Sequence, residues 1–156
     1  MRMLTSGLIA GAAGTAALDL VTYLDIAVRR RPPSSTPEQS VRRLASLAGV
    51  KPGDDPPTKH RITGLGALLG YSAGLGAAAC YARLNRHRLP RPAAALVLTA
   101  LAMAGSNTPM TMLGITDPRR WSATDWASDL IPHLADGAVA VATYRGLCHR
   151  DRGRRR

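Results

Sequence analysis

Two stretches of this chain carry almost no charge over a length that matches a lipid bilayer. Ile62 to Leu84 (ITGLGALLGYSAGLGAAACYARL) has no charged residue before Arg83, and Ala93 to Ile115 (AAALVLTALAMAGSNTPMTMLGI) has none. As a helix each would reach roughly 35 Å, against a hydrocarbon core of ~30 Å. Buried helices of a small soluble bundle are the alternative, but such helices normally keep one polar face. Both stretches are also rich in glycine, which is costly in a soluble helix and common in a membrane span. Two further blocks extend the pattern. Met3 to Val28 holds only Asp19 and Asp25 as charges and is closed by Arg29, Arg30 and Arg31. Trp121 to Leu147 is apolar in its second half but carries Asp125, Asp129, His133 and Asp136 in its first. That last block qualifies only if its polar residues face other helices or water. The expected fold is therefore all-α: one domain over residues 1–156, an integral membrane bundle of four transmembrane helices at about 3–28, 62–84, 93–115 and 121–147.

The first block also has the outline of a secretory signal, with Arg2 ahead of an apolar run and a small-x-small Ala10-Gly11-Ala12. That site comes too early and the run continues to Val28, so the block is read as a retained span. The aromatic residues fit four antiparallel spans. Tyr23, Trp121 and Trp126 would share one interface and Tyr81 and Tyr144 the other, as in an aromatic belt, with Tyr71 falling mid-span.

Length suits a single domain. The 21 Lys+Arg against 10 Asp+Glu give a net charge of +11, and every basic residue but Lys51 and Lys59 is arginine. These charges gather in the proline-rich loop 29–61 and the tail 148–156. No aromatic residues interleave the loop arginines, which argues against nucleic acid as a partner. Two cysteines, Cys80 and Cys148, cannot build a disulfide framework. With both termini inside, eleven arginines lie on the inner side, Arg83, Arg86, Arg88 and Arg91 among them, and ten basic residues on the outer. The inner charges crowd next to the spans, so the expected orientation is both termini cytoplasmic in the cell membrane, with the cysteines near the reducing side.

One helix stands out in the loop. Thr36-Pro37-Glu38-Gln39 reads as an N-cap threonine, a proline at the first helical position and a capping-box glutamine. Val41, Leu44, Leu47 and Ala48 follow at helical spacing, and Gly49 is a stop. Such an amphipathic helix, near 37–48, lies at the membrane surface or caps the bundle.

Small residues mark the packing faces. Gly7, Gly11 and Gly14, with Leu18 and Asp25, share one face of the first span, and Gly66, Gly70 and Gly74, with Ala73 and Ala77, one face of the second. Close helix approach needs such faces where lipid supplies no hydrophobic drive, and a cleared substrate path is the alternative use.

The fourth block carries the chemistry. At ~100° per residue, Ser122, Asp125, Asp129, His133, Asp136 and Thr143 fall within a stripe about 80° wide. Pro132 frees the carbonyl of Ser128 within it. Asp19 of the first span and Asn107, in Ser106-Asn107-Thr108-Pro109 at the middle of the third, are its expected polar neighbours. Three readings stay open. The stripe is a hydrogen-bonded seam fixing helix register, a proton or ion relay, or a divalent-metal site of Asp129, His133 and Asp136. A single histidine with carboxylates is a poor zinc or haem set, so no metal and no cofactor is expected. His60, His87 and His149 are read as solvated.

The stretches ALDLVTYLDIAVRRRPPSSTPE (Ala17 to Glu38) and DWASDLIPHLADG (Asp125 to Gly137) resemble uncharacterised small multi-pass membrane proteins of actinobacteria. More distantly, the layout is similar to the YagU-like inner-membrane family, whose last span carries a Pro-His-Leu-x-Tyr-Gly element. Pro132, His133, Leu134 and Gly137 match that element, and Asp136 stands where its tyrosine would be. The resemblance implies an integral membrane protein of four spans and no reaction to transfer. No nucleophile elbow, phosphate loop, dinucleotide fingerprint or zinc-protease helix appears, so no enzyme is expected. Two functions remain: a non-enzymatic membrane protein acting through a membrane-protein partner or as a homo-oligomer by its glycine faces, and a small proton or ion transporter or channel component using the stripe.

Overall fold

The computed structural model describes residues 2–84 and 89–153. Arg86, His87, Arg88 and the tail arginines Arg154, Arg155 and Arg156, which enter the expected charge balance, lie outside them. Five α-helices follow in order: α1 Arg2–Arg29, α2 Thr36–Leu47, α3 Pro56–Leu84, α4 Arg91–Met112 and α5 Ala123–Gly153. A single 3-10 turn, Pro118–Arg120, precedes α5. No strand occurs among the described residues.

The four long helices run antiparallel in a closed ring. α1 packs on α3 and α5, and α4 packs on the same two, while α2 leans on α3. Glycine sets the close approaches. A Cβ on Gly7 would sit 2.9 Å from Ala82 Cβ of α3, and one on Gly11 2.9 Å from Leu75 Cα. Gly14 turns instead to α5, against Asp136 and Ala140. The expected single face of α1 is thus split between two neighbours. On α3, Gly74 receives Thr15 of α1, but Gly66 receives Pro37 of α2 rather than another long helix. Gly70 meets nothing within 4 Å, so its expected packing role is corrected: it points outward.

Helix ends shift for local reasons. Ser35, not Thr36, is the N-cap of α2, because the Ser34 hydroxyl accepts the Thr36 N–H and the Gln39 amide donates to Ser35 Oγ at 2.8 Å. At the other end Gly49, at φ +78°, closes a Schellman motif with Val50 N–H donating to Ala45 O. Gly114, at φ +70°, repeats the device on α4, with Ile115 N–H donating to Met110 O, and so stops α4 short of the expected residue 115. Asp55 caps α3 from ahead of Pro56, accepting the Thr58 N–H at 3.0 Å. Proline at the first helical position lacks only a donor with no helical partner, so α3 begins well before the expected residue 62.

The hydrophobic core occupies one half of the bundle. Ala10, Ala78, Tyr81, Ala82, Ala94, Leu98, Ala140, Val141 and Tyr144 form it near the start of α1. Tyr81 and Tyr144 meet edge to face, ring centroids 5.9 Å apart. Their expected place in an interfacial belt is corrected: the surrounding alanines leave room for two rings, and both are buried. At this end the Arg145 guanidinium donates to the Leu89 carbonyl, tying α5 to the lead-in of α4.

The outside of the bundle is apolar. Leu20, Leu24, Leu68 and Leu96 are each more than half exposed, at 62%, 56%, 63% and 59%. α1, α3 and α4 are long and apolar enough to cross a membrane. α5 does not meet that measure, because Asp125, Asp129, His133, Asp136 and Arg145 interrupt it, so three apolar spans stand where four were expected.

Candidate functional site

α5 sorts the expected stripe into three environments. At its start, Ser122 and Asp125 make a reciprocal capping box. The Ser122 N–H and Oγ donate to Asp125 Oδ2 at 2.9 and 2.7 Å, and the Asp125 N–H donates to Ser122 Oγ at 3.2 Å. Asp125 is exposed and serves the helix end, so it leaves the candidate site.

One turn on, α5 is clasped to α4. Asn107 Nδ2 donates to Asp129 Oδ2 at 2.8 Å. His133 Nδ1 lies 2.7 Å from the carbonyl oxygen of Asp129 and 3.5 Å from Asp129 Oδ1. A carbonyl only accepts, so Nδ1 carries the hydrogen. Nε2 lies 3.4 Å from Ser106 Oγ, which itself reaches the carbonyls of Ala102 and Met103. Thr99 Oγ1 donates to the His133 carbonyl at 3.1 Å, a further tie between α4 and α5. Ser106 and Asn107 stand in the last two turns of α4 rather than mid-span, because Gly114 ends that helix early.

Asp136 is alone. It is 1% exposed, and with Leu98 it is the largest fully buried side chain among the described residues. Neither carboxyl oxygen has a hydrogen-bond partner. One of them fills the space that a Cβ on Gly14 would take. Thr15 Oγ1, next along α1, is likewise buried without a partner and fits the hollow at Gly74. Both orphans sit near mid-height of the bundle. His133 does not bond Asp136, because its ring turns along α5 toward Asp129 and α4.

Asp19 does not join the stripe. It stands beside the Tyr71 hydroxyl of α3, on a different face of α1. Asp25, at the same end of the bundle as Asp125, takes Arg29 Nε at 2.8 Å and Arg31 Nε at 2.7 Å, and Arg29 Nη2 also donates to Ser128 Oγ of α5 at 2.7 Å.

Two residues of the site were missed by the sequence reading. A Cβ on Gly137 would lie 2.6 Å from the Ala95 carbonyl oxygen and 3.0 Å from Thr99 N, so at Gly137 α5 packs directly on the backbone of α4. It lies one turn after His133 on the same face, which is the signal that could have found it. Thr99 sits in an otherwise apolar run and gave no such sign. A shallow hollow of about 860 Å³ lies away from the stripe, at the turn before α5, lined in part by Asp117, Arg119, Arg120 and Trp121. Among the described residues no group of three or more His, Cys, Asp or Glu side chains is placed to hold a metal ion. No family model, curated protein or solved structure matches the chain.

Proposed function

We propose that the chain is a four-span integral protein of the cell membrane, with α5 as its fourth span and both termini cytoplasmic. The two faces of α5 carry this reading. Leu130, Ile131, Leu134 and Val139 are exposed on the outside of the bundle, while Asp129, His133 and Asp136 turn inward. A helix that turns its mid-span charges toward α1 and α4 and shows lipid aliphatic side chains over the same stretch can cross a bilayer that its average composition would disfavour. The likeness to the YagU-like layout belongs to the same reading.

Within that frame the Asn107–Asp129–His133–Ser106 cluster is a structural clamp and the protein is not an enzyme. Its direct partner is the lipid bilayer. Gly7, Gly11, Gly14 and Gly74 are consumed inside the chain, so a second copy or another membrane protein would have to meet other surfaces, such as the outward side of α3 at Gly70. A second reading, a small proton or ion transporter component, is favoured by one observation, the orphaned carboxyl of Asp136.

Cysteine labelling tests the fourth span. In a Cys80→Ser, Cys148→Ser chain, Val139→Cys should resist a water-soluble maleimide in intact and in permeabilised membranes. Modification there, or a monodisperse folded protein in buffer without detergent, would overturn the reading. A C-terminal reporter active only outside the cytoplasm would reverse the orientation.

A further inference from the structure

We propose that Asp136 is a proton-binding site open to only one side of the membrane, the side on which α1 ends, with His133 and Asp129 as its route to water. The proposal rests on α5 being the fourth span and deepens the second reading above.

Three observations converge on it. First, the Asp136 carboxyl is 1% exposed and neither oxygen is hydrogen-bonded. A buried carboxylate without a donor carries a far heavier desolvation cost than the neutral carboxylic acid, so the pocket favours the form that holds a proton. Second, a run of polar groups leads from Asp136 along α5 toward one end of the bundle. His133 is one turn away and Asp129 two, and beyond them Ser128 and Asp125 reach the bundle end at Arg29. Third, the other side is shut. Ala140, Val141 and Tyr144 follow Asp136 on α5 and join Ala10, Tyr81 and Leu98 in the dry core.

The surroundings contribute few other charges. From α1 the neighbours are Gly14 and Thr15, with Asp19 turned to Tyr71 and Asp25 paired to Arg29 and Arg31. α4 offers only the neutral Thr99, Ser106 and Asn107, and α3 the phenols Tyr71 and Tyr81. On α5 itself, Tyr144 lies in the core, and His133 and Asp129 stand one and two turns from Asp136. Release carries one proton from the Asp136 carboxyl past His133 and Asp129 to water at the open end, leaving the Asp136 carboxylate. Reloading takes one proton from water at that end and restores the carboxylic acid.

The test uses the full chain in oriented membrane vesicles and dicyclohexylcarbodiimide, an apolar reagent that adds to a protonated carboxyl and rearranges to a stable N-acylurea. Mass spectrometry should find the adduct on Asp136, and Asp136→Asn should abolish it. Labelling should fall tenfold or more when the pH is raised on the side where α1 ends, and stay unchanged when it is raised on the other. His133→Gln should slow that response without removing the adduct. An unlabelled Asp136 at every pH, or a response to both sides alike, overturns the proposal. The Val139→Cys control separates the failures. If that cysteine is protected and Asp136 behaves otherwise, the proton site alone falls, and if the cysteine is modified, the fourth span falls and takes the site with it.

Discussion

Gly137 of α5 lies directly against Ala95 of α4, with room for a hydrogen but none for a methyl group: a Cβ there would stand 2.6 Å from the Ala95 carbonyl oxygen. Backbone, unlike the end of a flexible side chain, cannot step aside. The whole seam from Thr99 to Asn107 depends on that approach.

Gly137→Ala should therefore destabilise the bundle by ~1–3 kcal/mol, the usual range for overpacking. Gly70→Ala is the counterpart. Its Cβ meets nothing, and alanine favours a helix by up to ~1 kcal/mol over glycine, so it should leave stability unchanged or raised. Thermal melts of both variants in one detergent give the comparison, and equal losses would mean that the α4–α5 contact is looser than described.

The Asn107–Asp129 bond makes a second prediction. Polar contacts between membrane helices average ~0.6 kcal/mol and reach ~1.7. A double-mutant cycle with Asn107→Ala and Asp129→Ala should give a coupling in that range. His133→Ala should lose ~1–3 kcal/mol, because it removes a buried ring and its hydrogen bond to the Asp129 carbonyl. A coupling indistinguishable from zero would place the cluster in water.

Much of this fold is legible in the residues and some is not. Long charge-free runs name α1, α3 and α4 because nothing else tolerates so many unbroken apolar positions. A helical wheel says which side chains share a face but not which neighbour that face meets. It therefore groups Gly7, Gly11 and Gly14 correctly yet cannot divide them between α3 and α5. It also credits Asp125 to the stripe when its position three residues after Ser122 makes it a cap. Tyr81 and Tyr144 look interfacial because they lie near span ends, and only the alanines brought from three other helices make them core. Asp136 was placed on the right stripe, but its isolation from every donor depends on the packing of Gly14.

Acid should loosen the start of α3. Its Thr58 hydrogen bonds hold the Asp55 carboxyl below the ordinary value of 3.8. A group with a depressed folded value stabilises above its unfolded value, and that contribution is lost as pH falls through the folded one. Hydrogen exchange at Thr58 should accelerate relative to mid-helix amides below about pH 4. In Asp55→Asn the acid-dependent part should vanish, and an identical pH profile in both chains would remove the cap from the account.

Asp25 binds two arginines in partly exposed pairs, each worth ~0.2–1 kcal/mol. Asp25→Asn should cost up to the sum of these at low salt and progressively less as salt screens them. Melts across a salt series would show it, and a salt-independent loss would point to packing rather than charge.

The aromatic contact of Tyr81 with Tyr144 lies toward one end of four helices that are held elsewhere by polar bonds and glycine notches. Mechanically that is a pair of tongs with its pivot off centre. Small tilts about the tyrosines displace the jaw at Asp25, Arg29 and Ser128 several times further than the handle at Ser6 and Gly7. Amide protection along α1 should accordingly decline from Ala10 toward Asp25, so that the end bearing the charges breathes while the end bearing the rings stays shut.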